Sequence, residues 1–241
     1  MFSWSDRSIE LMRDASEYGE YYSLLSRRIS PIIKGKRVLD AGCGLGYLSV
    51  EMAALCEHVT AADREKRALD VLRQNVAARD IGNIAIIEGD IFTYEPEKPY
   101  DVIVFCFFGG IDESLRLAKK CLKPHGKAVL IKKAWERHRF TLSGKALAGH
   151  TLAKAEERLS ELNVPYTLET LELEMGQPVK SAAEAAEFFS IYDADGATIS
   201  EADIIDKLVS IDHAKYRFYL PSKKQIGIIE LEMGDVPFKI N

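Results

Sequence analysis

Cysteine is sparse and scattered: Cys43, Cys56, Cys106 and Cys121 are the only four in 241 residues, and no two form a CxxC pair. That spacing excludes a zinc ribbon and a disulfide framework, and reduced thiols are expected. Long apolar runs are also missing. No stretch reaches the roughly 18 residues a membrane span requires, and the N-terminal MFSWSDRSIE is too polar for a signal-peptide core. A cytoplasmic chain with no membrane partner is the expectation. Repeats and low-complexity tracts are absent too, and 47% hydrophobic residues against 16 Gly and 8 Pro rule out a disordered chain. The length suits one domain, or one domain with an insertion. A net charge of −5 argues against a nucleic-acid groove. The acidity is uneven, however: residues 1–134 carry 20 basic and 19 acidic side chains, whereas 135–241 carry 12 and 18.

What is present is an alternation. RVLDAG (37–42), VTAAD (59–63), IAIIEGD (84–90), DVIVFCF (101–107) and KAVLIKK (127–133) are short β-branched apolar runs, and segments of helical periodicity separate most of them. This is the pattern of βαβ units around a parallel sheet. Residues 3–30 read as one or two amphipathic helices bearing Tyr18, Tyr21 and Tyr22. LSGKALAGHTLAKAEERLSELNVP reads as a long helix, YTLETLELEM as an antiparallel strand, and KYRFYLPSKKQIGIIELEM as a hairpin-like pair turning at Pro221–Lys224. SAAEAAEFFSIY and SEADIIDKLVSI read as helical, the second capped at Ser200 with Asp203 three residues on. The intervening DADGA fails as an EF-hand, because only Asp193 and Asp195 fall on ligand positions. No metal is expected.

The string VLDAGCGLGYLSVEMA places a glycine-rich turn between a strand and a helix. Glycines there let backbone amides approach a ligand without a Cβ in the way. Their spacing is GxGxG through Gly42, Gly44 and Gly46, with Tyr47 where a dinucleotide fingerprint needs its third glycine. With Asp40 this resembles motif I, (D/E)xGxGxG, of the class I S-adenosylmethionine-dependent methyltransferases. Asp63, Asp90 and the YDVIVFCFFGG and KPHGKAVLIKK segments follow in the family's order, so the resemblance covers residues 35–135 by motif. It implies a doubly wound, mostly parallel seven-stranded α/β sheet with helices on both faces and an antiparallel last strand. Residues 1–34 would form an N-terminal helical cap, residues 35–241 the catalytic domain, and about 177–215 a helical insertion. It also implies S-adenosylmethionine as cofactor, held by Asp40, Gly42, Cys43, Gly44, Gly46, Asp63, Arg64, Asp90, Ile91 and Phe105. Asp63 would accept from the ribose hydroxyls and Asp90 from the adenine amino group, with Ile91 against the ring.

The methyl of that donor is already activated, so alignment and exclusion of water are the main catalytic needs. The loop after the fourth strand reads Cys106, Phe107, Phe108, Gly109, Gly110, without the (N/D)PP(Y/F) signature of enzymes that act on exocyclic base amines or glutamine amides. KKAWERHRF places Lys132, Lys133, Arg137, His138 and Arg139 after the fifth strand, suited to an anionic acceptor. His138 is the candidate general base, since imidazole titrates near neutrality. Tyr18, Tyr22, Phe107, Phe108 and Lys133 are the candidate acceptor contacts. The expected reaction is methyl transfer to a small-molecule substrate by a monomer or homodimer, with nucleic acid not expected. An RNA or other macromolecule methyltransferase and a non-catalytic S-adenosylmethionine-binding protein are the alternatives.

Overall fold

Continuous apolar strands need cover on both faces, and the helices between them supply it. The protein is described here by a computed structural model, which covers residues 4–134, 140, 151–192 and 199–236. The N-terminal stretch forms two helices, α1 (Asp6–Tyr18) and α2 (Tyr21–Ile33). Strands β1 (Arg37–Ala41), β2 (His58–Asp63), β3 (Ile84–Glu88), β4 (Tyr100–Cys106) and β5 (Leu122–Lys133) run parallel, linked in part by helices α3 (Tyr47–Ala53), α4 (Lys66–Ala78) and α5 (Ile111–Cys121). Helix α5 carries its own start and stop signals: Glu113 accepts from the Gly110 N–H at 2.9 Å, and Lys119 and Lys120 occupy the last turn.

After α6 (Leu152–Glu161) come β6 (Thr167–Glu174), β7 (Gln177–Val179), α7 (Ala182–Tyr192), β8 (Val209–Ser210), β9 (Phe218–Leu220) and β10 (Lys223–Glu232). The main sheet has seven strands in the order β3-β2-β1-β4-β5-β10-β6, with β10 antiparallel to both of its neighbours. Strand β6 therefore pairs antiparallel while running in the direction of the first five. The strand order reverses between β1 and β4, where an open α/β sheet leaves a crevice at the carboxyl ends of its strands.

Three local expectations change. The 215–233 segment is not a hairpin: β10 has both edges taken by β5 and β6, so β9 pairs instead with β7 and β8 in a separate three-stranded sheet. The helix expected across 142–165 is observed from Leu152, where the Thr151 hydroxyl accepts from the Lys154 N–H at 3.4 Å. Residues 142–150 lie outside the described residues. The segment after Ser200 forms two short 3-10 turns, Glu201–Asp203 and Ile205–Lys207, although Asp203 does cap Ser200.

The small sheet, α7 and α1 form a second layer above the strand ends. Leu11 of α1 shares a core with Val179, Phe188, Phe189 and Leu220, and Arg7 bonds Glu187 at 2.7 Å and Glu184 at 3.0 Å. Helix α2 instead buries Leu25, Ile29 and Ile33 against Val38, Val59, Val102 and Val129 of the sheet. The two consecutive helices thus connect the upper layer to the sheet. Among the described residues no helix is long and apolar enough to cross a membrane. Truncating the fully buried Leu25 to alanine is expected to lower unfolding stability by about 2–5 kcal/mol in urea. A loss below about 0.5 kcal/mol would show that α2 is not packed on the sheet.

Candidate active site

Strand β1 ends in a left-handed turn. Gly42, Gly44 and Gly46 have φ of +72°, +55° and +73°, and a Cβ at Gly42 would collide with the Phe108 ring. The N–H groups of Gly42 and Cys43 donate to Ala62 O at 2.8 and 3.0 Å, tying the turn to β2. The Gly44 N–H donates to Asp63 Oδ2 at 2.8 Å, while Asp63 Oδ1 accepts from the Glu65 N–H at 2.9 Å. At the end of β3, Asp90 accepts from the Phe92 N–H at 3.0 Å, which opens a single 3-10 turn over Ile91–Thr93.

These strand ends floor a cavity of about 1170 Å³. Trp4 and Met12 from the α1 side, Gln177 of β7, and Phe188 and Ile191 of α7 line it from the upper layer. Asp40 is 1% exposed, and its Oδ2 accepts from Ser49 Oγ at 2.5 Å. Its other oxygen, Oδ1, is buried with no hydrogen-bond partner among the described residues. Burial pushes the Asp40 carboxyl up to about 7; Ser49 opposes the shift, and the nearby Asp63 adds to it.

The loop after β4 is held under strain. Phe107 has φ +56° and Gly109 +65°, and the Lys132 ammonium donates to Phe108 O at 3.1 Å and Gly109 O at 2.7 Å. Lys132 is 1% exposed, and burial lowers its pKa to about 8. Its neighbour Lys133 points to the opposite sheet face and lines the cavity. Phe108 stacks on Phe92 with ring centres 5.6 Å apart, and Tyr22 stacks on Tyr47 at 5.9 Å.

The residues expected to hold the donor converge on this cavity: Asp40, Gly42, Cys43, Gly44, Gly46, Asp63, Arg64, Asp90 and Ile91 all line it. Phe105 does not. It is fully buried in the core beside Leu39, Ile103 and Leu130, one residue too early on β4, and Cys106 and Phe107 take the lining positions. Of the expected acceptor contacts, Tyr22, Phe107, Phe108 and Lys133 line the cavity. Tyr18 lies elsewhere, packed on Tyr219 at 5.1 Å and His213 at 5.5 Å, because its position at the end of α1 faces the small sheet. His138 lies outside the described residues. Sequence reasoning missed Lys224, Met175, Gln177 and Trp4, all of which line the cavity. They come from the distant strands and the chain start, with no motif to mark them.

A family signature described as a methyltransferase domain matches residues 32–182, more than half of the chain. The chain belongs to that family. It is a class I S-adenosylmethionine-dependent methyltransferase with a Rossmann-like fold. The methyltransferase is 26% identical over 148 residues to ribosomal RNA small subunit methyltransferase G of Coxiella burnetii (strain Dugway 5J108-111), covering 59% of this chain and 72% of that protein. It is 32% identical over 100 residues to a "Probable cobalt-precorrin-6B C(15)-methyltransferase (decarboxylating)" of Methanothermobacter thermautotrophicus, covering 40% of this chain and 52% of that one. In fold it resembles the precorrin 8w decarboxylase of Methanobacterium thermoautotrophicum, with a TM-score of 0.54, 20% identity, and 87% and 88% of the two chains covered.

The expectation of a small-molecule partner, with nucleic acid not expected and an RNA methyltransferase as the alternative, is overturned here. Ribosomal RNA methyltransferases of several bacteria, Hydrogenovibrio crunogenus and Methylobacillus flagellatus among them, are relatives of this chain. The charge argument failed because it averaged the whole chain: residues 1–134, which hold the strand ends from β1 to β5, are balanced at 20 basic and 19 acidic residues.

The Asp40 shift has a consequence for stability. Its folded pKa of about 7 lies above the ordinary 3.8, so between those values the folded state holds a proton that the unfolded chain has released. This contribution is full below about pH 4 and is lost as pH rises through about 7. Relative to Asp40→Asn, the native protein should lose on the order of 2–4 kcal/mol between pH 4 and pH 8 in urea titrations. Parallel pH profiles for the two proteins would reject the shift.

Proposed function

We propose that this methyltransferase binds S-adenosylmethionine across the glycine turn and transfers its methyl group to a base of an RNA acceptor. The donor part rests on the convergence of strand-end acids and turn glycines on one cavity. The two N–H groups bonded to Asp63 use two of the four or so lone-pair sites of a carboxylate, which leaves capacity for a ribose diol. Ile91 offers an apolar face for the adenine beside Asp90. The buried, unpartnered Asp40 Oδ1 gives the cavity a polar acceptor suited to the amino-acid end of the donor. Bound there, S-adenosylmethionine supplies a methyl group activated by its sulfonium.

The protein's own part is positioning and exclusion of water. Lys132 fixes the backbone of the Phe107–Gly109 loop, so Phe107 and Phe108 present their rings beside the donor position. The upper layer lines the cavity opposite the strand ends and limits the approach of solvent to the reacting atoms.

The RNA acceptor is carried by the ribosomal RNA methyltransferases among the relatives. Size and lining support it. At about 1170 Å³ the cavity exceeds the roughly 300–1,000 Å³ of a single-ligand site, leaving room for a base beside the donor. Aromatic faces such as Tyr22, Phe107, Phe108 and Phe188 suit a base taken out of its stack. An RNA acceptor also goes with a cytoplasmic location.

Two measurements test this reading. Asp63→Ala should weaken S-adenosylhomocysteine binding at least tenfold by calorimetry, and unchanged affinity would remove Asp63 from the donor site. With labelled S-adenosylmethionine and cell extract, label should enter the RNA fraction. Label confined to small molecules would overturn the RNA acceptor while leaving methyl transfer intact.

A further inference from the structure

The charged residues of the cavity are sorted along the sheet. Asp40, Asp63, Glu65 and Asp90 sit at or just past the carboxyl ends of β1, β2 and β3, on one side of the switch in strand order. Lys133 and Lys224 sit on the other side, on β5 and β10. Arg64 and Glu113 also line the cavity and partly offset each end, yet carboxylates gather at the ends of three strands on one side, and ammonium groups at the end of β5 and the start of the antiparallel β10 on the other.

Register places the two lysines on one face. Ile226 of β10 pairs with Lys133, and side chains two residues apart on a strand share a face, so Lys224 stands above Ile226 on Lys133's side of the sheet. Lys224 is 8% exposed. Its ammonium lies 4.7 Å from the Tyr21 ring centre and 5.4 Å from that of Phe107, and contacts Met175 Sδ at 2.7 Å. Aromatic faces and a thioether are favourable neighbours for an ammonium, and Lys224 lines the cavity wall among them.

The geometry points to an anion subsite, formed by Lys133 and Lys224, that takes a phosphate or carboxylate of the methyl acceptor. A positively charged donor is drawn to the acidic end and a negatively charged acceptor to the basic end. The two reactants are thus sorted before they meet beside the Phe107–Gly109 loop. In an RNA acceptor the group would be a phosphate next to the target base. This inference rests on reading the cavity as a shared donor and acceptor chamber.

The probe is inorganic pyrophosphate, added by calorimetry to the full chain saturated with S-adenosylhomocysteine. Pyrophosphate should bind alongside the nucleoside. Lys224→Met and Lys133→Met should each weaken it at least tenfold while leaving S-adenosylhomocysteine affinity within twofold, and Lys224→Arg should restore most of the binding. Lys120→Met, at the far end of α5, is the control for general loss of charge. If Lys224→Met fails to fold, the partly exposed Lys133→Met carries the test.

No binding, or binding indifferent to both lysines, overturns the subsite. Displacement of S-adenosylhomocysteine by pyrophosphate, or its weakening in Lys224→Met, would give the lysine to the donor's carboxylate and overturn the acceptor assignment. Pyrophosphate binding with no label entering RNA would count against the RNA reading alone.

Discussion

The Gly44 N–H donates to Asp63 Oδ2 at 2.8 Å, and the floor of the cavity depends on that bond. It joins the left-handed turn after β1 to the acid that ends β2, so neither can move without the other. Asp63 in turn holds the start of the next segment through the Glu65 N–H, and its own carbonyl accepts from Gly89 after β3 at 3.0 Å. Three strand ends are locked together at their carboxyl termini. A carboxylate in this position is both a structural clamp and a group with acceptor sites to spare.

Once that floor is set, the sheet order distributes the rest. The strands on the β1–β3 side end in acids, whereas β5 and β10 contribute lysines. Between them the loop after β4 carries a strained Phe107, and Lys132 holds the two residues that follow it through the carbonyls of Phe108 and Gly109. A lysine buried to this extent is unfavourable unless its bonds are satisfied, and this one stays in place because it meets the carbonyls of a loop that could not otherwise stay in the left-handed region. Catalysis by approximation needs such rigidity more than it needs a reactive side chain.

Legibility in the sequence followed locality. The five parallel strands, the glycine turn and the acids at strand ends were readable because each is written in a short contiguous string with its own steric or polar reason. Phe105 was misplaced by one residue, since an unbroken apolar run such as VIVFCFF gives no phase to say which ring leaves the core. Tyr18 and Tyr22 look alike on a helical pattern, yet α1 and α2 dock on different layers, and only the tertiary contacts separate them. Lys224 was invisible for a related reason. It reaches the cavity because β10 inserts between β5 and β6, a pairing that no local pattern encodes. The same insertion explains why β9 and β10 do not form the hairpin their spacing suggests.

The central claim is that the donor lies across the glycine turn where β1, β2 and β3 end. Amide hydrogen exchange of the full chain, with and without saturating S-adenosylhomocysteine, tests it most directly. Slowed exchange at Gly42–Tyr47, Arg64–Glu65 and Gly89–Phe92 is the predicted result. Unchanged exchange at those amides, or protection gathered instead on the β6 edge of the sheet, would contradict it.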